Sequence, residues 1–192
     1  MSVELLVLTG GPCSGKSTII NFISKYNSFL VVPETASILV ESGIPRDSLE
    51  NRIVFQKMVY KFQCYYEKML IPTAKHLGKN ILCDRGTVDC AAYWPNDNFF
   101  MEMETTILNE YSRYAMVIYL SSLATELPEE YSCIALNHPT RNENLREAFE
   151  LDNRLKSIWN KHPNFYEVCC SVPGIEGKRD KVIELITKYF KI

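Results

Sequence analysis

Nine consecutive residues, Gly10, Gly11, Pro12, Cys13, Ser14, Gly15, Lys16, Ser17 and Thr18, hold the plainest capacity for chemistry, because they spell G-x-x-x-x-G-K-S and a threonine. Glycines in such a loop let several backbone N–H groups turn toward one oxyanion, and a helix opening near Lys16 adds the positive end of its dipole. Lys16 is then the cation for the β and γ phosphates, and the Ser17 hydroxyl a ligand for Mg²⁺. The expected cofactor is a nucleoside triphosphate, ATP or GTP. Binding a triphosphate does not say what is done with it, so acids and cations elsewhere must decide. Two apolar runs end in charge: Val31-Val32-Pro33-Glu34 and Ile81-Leu82-Cys83-Asp84-Arg85. Asp84 stands where the carboxylate of the Mg²⁺ site belongs, Arg85 sets a cation beside it, and Glu34 brings a second carboxylate to the same sheet edge. Farther on, Arg141 and Arg146 lie five residues apart, placed to clamp charge developing on a transferred phosphoryl group.

These residues need a scaffold, and the hydrophobic pattern supplies one. Strand-like runs occur at Val3 to Leu8, Phe29 to Val32, Ile81 to Cys83, Met116 to Leu120 and Phe165 to Cys170, with helical patterns between most of them. Ile19, Phe22, Ile23 and Tyr26 recur at helical spacing, as do Phe55, Val59, Phe62, Tyr66 and Met69 in a helix expected from Asp47 to Ile71 and stopped by Pro72. Val182, Leu185, Ile186 and Tyr189 predict a closing helix. Strand–helix alternation argues an α/β fold with a parallel five-stranded sheet between helical layers. The order 2-3-1-4-5 would bring Glu34, Asp84 and Lys16 around one γ-phosphate. Ser121 to Asn144 is the least patterned stretch, so a lid is expected over about 121–146, within one domain spanning 1–192.

Composition excludes several classes. With 21 Lys and Arg against 23 Asp and Glu, the net charge of −2 offers nothing to a nucleic acid or an anionic membrane surface. Hydrophobic residues make up 46% and charged residues 23%, ordinary values for a packed domain, and no apolar run approaches the ~18 residues of a membrane span. The seven cysteines are scattered with no C-x-x-C pair, and the start lacks a basic region before its apolar stretch. Free thiols and a cytoplasmic location are the expectation.

Absences narrow the use of the loop. A guanine-reading N-K-x-D is missing, since Asn160-Lys161 is followed by His162 and Pro163, and Asp84 is followed by Arg85 where a motor-type ATPase shows two acids. The compact nucleoside and nucleotide kinases remain. Within that reading, Gln56 and Gln63 share a helix face from which a glutamine can read a base. Trp94 with Tyr93 and Pro95 either walls a ring pocket or packs in the core. Pro173-Gly174-Ile175 follows the fifth strand, where a nucleotide base can rest. The three histidines show no metal-ligand spacing.

T-G-G-P-C-S-G-K-S-T, V-V-P-E-T-A, C-D-R-G-T-V-D-C-A-A-Y-W-P and N-x-x-x-R-N-E-N-x-x-E-A together resemble the NadR-like AAA-type P-loop family. That family includes ribosylnicotinamide kinase domains and the TRPL translocation-defect GTP-binding proteins. The resemblance runs from Val3 to Phe190 and implies a P-loop kinase-like fold of one domain. It implies that Gly10 to Thr18 hold the nucleotide, that Asp84 is the Mg²⁺-site acid, that Glu34 is a kinase-type base and that Arg141 and Arg146 belong to the lid. An arginine that relatives place near the position of Ser37 is absent. The leading expectation is a Mg²⁺-dependent kinase moving the γ-phosphoryl group of ATP or GTP to a hydroxyl of a nucleoside or ribosyl metabolite. The alternative is a nucleotide-binding regulatory module that recruits a protein or lipid partner and hydrolyses slowly.

Overall fold

The computed structural model of the protein describes residues 2–136, 144–169 and 174–191. A parallel sheet is built from β1 (Leu5–Thr9), β2 (Phe29–Val32), β3 (Asn80–Asp84), β4 (Met116–Leu120) and β5 (Phe165–Val168), in the order β2-β3-β1-β4-β5. This is the expected α/β fold and strand order. Helices flank the sheet, and a parallel strand covered on both faces has no polar side, which is why Leu5 to Leu8 and Met116 to Leu120 read as unbroken apolar runs. Every residue of β1 and β4 is buried, whereas the outer strands β2 and β5 are only partly so.

Among the described residues the helices are α1 (Lys16–Ile23), α2 (Thr35–Glu41), α3 (Leu49–Leu77), α4 (Asp89–Ala92), α5 (Phe99–Glu102), α6 (Ile107–Tyr111), α7 (Leu123–Glu126), α8 (Pro128–Leu136), α9 (Leu145–Trp159) and α10 (Gly174–Phe190). The chain forms two compact units: residues 1–7 with Asn27–Met116, and Leu8–Tyr26 with Val117–Ile192.

In the first unit, β2 pairs with β3 in a register that sets Phe29 opposite Asn80 and Val32 opposite Cys83. The 29-residue α3 opens where the Ser48 side chain accepts a bond from the Asn51 N–H and closes at Gly78, in the left-handed conformation at φ 65°. Pro72 does not stop it. Proline removes one N–H and costs a helix interior about 3 kcal/mol, but Pro72 is exposed while Ala74 beyond it is fully buried, so packing and the Gly78 cap carry the helix on to Leu77. The buried face also departs from expectation. After Phe55 and Val59 it follows Gln63, Glu67 and Ala74, leaving Met69 exposed. Phe55, Val59, Cys90, Trp94 and Phe99 form a core cluster in this unit, with the Trp94 and Phe99 rings meeting edge-on at 5.5 Å. Burying each large side chain contributes roughly 1.5–3 kcal/mol.

In the second unit, β4 pairs with β5, Val117 opposite Phe165 and Leu120 opposite Val168. The stretch expected to be an unpatterned lid is helical in its described part. Ser122 caps α7 by accepting from the Ala124 N–H, and Pro128 opens α8, a position where its missing N–H costs nothing. An Asn144–Glu147 capping box starts α9. Ala124, Tyr131 and Ala148 then close a small core against Cys13 and Leu123.

Candidate functional site

The phosphate-type loop runs from the end of β1 into α1, and its backbone shows why glycine is needed. Gly10 sits at φ 143°, and a Cβ there would lie 2.0 Å from the Leu120 carbonyl oxygen. Gly15, at φ 90°, is the N-cap of α1 and offers no side-chain cap. A helix whose N-cap brings no side-chain oxygen to its first turn is suited to attract an anion there. Cys13 is also left-handed, at φ 56°. Lys16 is 8% exposed, and its ammonium donates to Gly10 O at 2.7 Å, Gly11 O at 3.1 Å and Ser14 Oγ at 3.1 Å. The cation is therefore fixed inside the loop, while Ser17 and Thr18 are exposed on the first turn of α1.

Residues that the sequence reading missed hold this loop from outside. Asp152 of α9, 1% exposed, accepts the Gly11 N–H at 2.9 Å, the Ser122 N–H at 3.0 Å and the Thr125 hydroxyl at 2.6 Å. Lys178 of α10, 4% exposed, donates to Ser121 O at 2.7 Å and Ser14 O at 3.4 Å. The Ser122 hydroxyl donates to Pro12 O. A signal for the two charged residues was present. Asp152 falls on the apolar stripe Ala148, Leu155, Trp159, and Lys178 on the stripe Val182, Ile186. A charge at a stripe position is expensive unless it is bonded.

Beside the loop lies a groove of about 410 Å³ lined by Thr18, Phe22, Lys25, Ile175, Glu176 and Arg179 among others, with the Arg179 guanidinium 4.7 Å above the Phe22 ring. A Cβ on Gly15 would meet Ile175 Cδ1 at 2.3 Å, so the first turn of α10 presses on the loop. Of the expected base-resting turn, Gly174 and Ile175 open α10, and Pro173 lies outside the described residues.

The first unit carries the acids. Glu34 follows β2 as the N-cap of α2, Asp84 ends β3 at 9% exposure, and Arg85 comes next. Glu34 and Arg85, expected to serve different atoms, bond one another: Arg85 Nε donates to Glu34 Oε1 at 2.6 Å. The Ser37 hydroxyl donates to Glu34 Oε2 at 2.7 Å. Asp89 accepts from Arg85 at 3.4 Å and from the Gly86 N–H at 2.9 Å. Burial opposes the Arg85 charge, but Tyr93, Glu34 and Asp89 outweigh it and hold the guanidinium pKa well above its ordinary value. Behind this edge, Gln63 accepts from Thr35 Oγ1 at 3.1 Å and donates to Arg85 O at 3.2 Å and Glu67 at 2.8 Å. Its amide is committed to the scaffold and not to reading a base. Trp94 is a core residue, its indole N–H bonded to Asn96 and Asn98. Arg146 is exposed on the first turn of α9 and pairs with Glu150 at 2.9 Å, while Arg141 lies outside the described residues.

Compared with known families, residues 5–172 match the model of the AAA domain family. No curated protein matches the chain.

Proposed function

The chain belongs to the AAA domain family, a family of P-loop nucleotide-binding domains, and on that premise we propose that it is a phosphotransferase moving the γ-phosphoryl group of ATP or GTP to a hydroxyl of a nucleoside or ribosyl metabolite. The observation that carries this reading is the state of Glu34. One carboxylate oxygen is held by Arg85 and the other accepts an O–H donor, Ser37, at an exposed edge. A base that orients an acceptor must lie within hydrogen-bond reach of its hydroxyl, and Glu34 already accepts one from Ser37 while a cation anchors it.

The acceptor hydroxyl takes the place of Ser37 on Glu34 Oε2. Its oxygen bonds to the γ-phosphorus as the bond to the β-phosphate oxygen breaks, its proton passes to Glu34, and the nucleoside diphosphate leaves. Lys16 and the N–H groups of the loop carry the triphosphate charge, and Arg85, Arg141 and Arg146 are the candidates for charge on the group in transfer. The base lies in the groove along Phe22, Ile175 and Arg179. Ser17 and Asp84 are the side chains whose oxygens would help to hold Mg²⁺, which would neutralise phosphate charge.

The test is transfer of labelled γ-phosphate to a panel of nucleosides and ribosides, with binding of a fluorescent triphosphate measured in parallel. Glu34→Gln should keep triphosphate affinity within about threefold and lose transfer by ~10²- to 10⁴-fold, the range of a lost general base. Equal transfer by the variant removes Glu34 from the mechanism. If the wild type transfers to no acceptor yet binds triphosphate, the regulatory-module reading replaces this one.

A further inference from the structure

The loop is gripped from two sides by charges that neither the motif nor the proposed transfer uses. A carboxylate and an ammonium are costly to bury unless bonded. Asp152 and Lys178 are both bonded, and their partners fall into a pattern. Asp152 takes two backbone N–H groups, Gly11 from the loop and Ser122 from the segment that follows β4. Lys178 takes two backbone carbonyls, Ser14 from the loop and Ser121 from that same segment. Each charge thus ties one point of the loop to one of two adjacent residues beyond β4, and the Ser122 hydroxyl on Pro12 O adds a third tie between them. Gly11 is matched to this grip, since a Cβ there would come within 2.6 Å of Asp152 Oδ1 and 2.9 Å of its Cβ.

We propose that Asp152 and Lys178 are positioning residues of the phosphate loop, a charge-balanced brace that fixes its backbone and sets its affinity for polyphosphate. The inference rests on the loop binding a triphosphate. Its physical content is a sign. Lys178 adds positive potential behind a site that must hold several negative charges, and Asp152 subtracts from it. Removing Lys178 alone leaves an uncompensated carboxylate bonded to the loop, which opposes the incoming anion. Removing both charges restores the balance.

The probe is inorganic tripolyphosphate, which reports on the loop without base or ribose, titrated calorimetrically into the full chain. Lys178→Met should lose about tenfold or more in affinity, the scale of a charge-assisted bond, and Lys178→Arg should stay within about threefold of wild type because the cation remains. The deciding variant is Lys178→Met combined with Asp152→Asn, which should bind more tightly than Lys178→Met alone. Two merely structural defects would compound, leaving the double variant weaker than either single one. If Lys178→Met does not unfold cooperatively, Lys178→Gln keeps a donor for Ser121 O and should show the same loss. Wild-type affinity in Lys178→Met or Lys178→Gln, or a double variant no tighter than the single one, overturns the brace. Failure of the wild type to bind tripolyphosphate overturns the phosphate-loop reading and the brace with it.

Discussion

Replacing Gly10 by alanine tests whether the loop is held by backbone geometry and not only by its motif residues. The new Cβ would stand 2.0 Å from the Leu120 carbonyl oxygen and 3.0 Å from its carbon. A carbon–oxygen contact settles at about 3.3 Å, so loop or strand must yield by roughly 1.3 Å. Leu120 is the last residue of β4 and fully buried, which leaves the loop to move. A second cost comes from φ 143°, which an L side chain rarely adopts. Strain of this kind costs of order 1–3 kcal/mol, and overpacking about as much again. Gly10→Ala should therefore lose roughly 2–6 kcal/mol of stability, and a displacement above 1 Å, which breaks at least one bond to a charged phosphate worth about 1.5–3 kcal/mol, should cost about 10- to 10²-fold in triphosphate affinity. Gly78 is the control. It is also left-handed, at φ 65°, but a Cβ there meets nothing within 4 Å. Gly78→Ala should lose only about 1 kcal/mol and keep wild-type binding. Urea denaturation and calorimetric titration with triphosphate measure both quantities. If the two variants are equal in stability and affinity, the close approach to Leu120 does not hold the loop.

Two further outcomes concern buried ionisable groups of the first unit. Glu67 accepts from Arg113 at 2.5 Å, Gln63 at 2.8 Å and Tyr114 at 2.9 Å, so Glu67→Gln should destabilise by about 3–5 kcal/mol, as when one partner of a buried ion pair is removed; a loss below 1 kcal/mol in urea denaturation would remove this network from the fold's support. Burial, opposed by Arg113 and aided by Glu110 and Glu67, pushes the Cys64 thiol up to about 11, and burial raises Cys83 and Cys90 well above the ordinary thiol range. Unfolded thiols ionise near pH 9 while these stay protonated in the fold, so the unfolded state binds fewer protons and stability falls as pH rises from about 9 to 11; stability that is flat or rising to pH 10.5 would refute the assignment.

The strands and the loop were legible because each rests on a local pattern, while the strand order, which pairs segments far apart in the chain, was a supposition that the sheet bears out. Fully buried parallel strands admit only apolar runs, and an anion loop requires glycine at fixed offsets. The pairing of Glu34 with Arg85 was not legible, since 51 residues separate them. The register of β2 on β3 determines it: Val32 opposite Cys83 sets the residues two beyond each strand position, Glu34 and Arg85, side by side. Asp152, Lys178 and Glu67 were hidden differently. Each replaces an apolar residue on a helix stripe, and a reading that collects hydrophobic positions passes over the polar one among them. On α3 it selected Phe62, Tyr66 and Met69, although the buried face turns to Gln63 and Glu67 because the bonds these make to Thr35, Arg113 and Tyr114 repay their burial.

Arg85 is where fold and site make opposing demands, and its backbone shows which prevails. It sits at φ 72°, a conformation that glycine adopts freely and arginine does not. Glycine would suit the turn after β3, yet only arginine brings a guanidinium to Glu34, Asp89 and the face of Tyr93. The Gln63 amide on Arg85 O and the Gly86 N–H on Asp89 hold the turn in place around it. Strain retained in this way points toward function, because folding alone would have removed it. Two substitutions separate the contributions, since Arg85→Ala and Arg85→Gly both delete the guanidinium and only glycine relaxes the backbone. Arg85→Gly should be the more stable of the two by about 1–2 kcal/mol, while both lose phosphoryl transfer to the same extent. Equal stabilities in urea denaturation would show that the turn carries no strain. Transfer retained by Arg85→Gly but lost by Arg85→Ala would show that the backbone, and not the cation, is what the site requires.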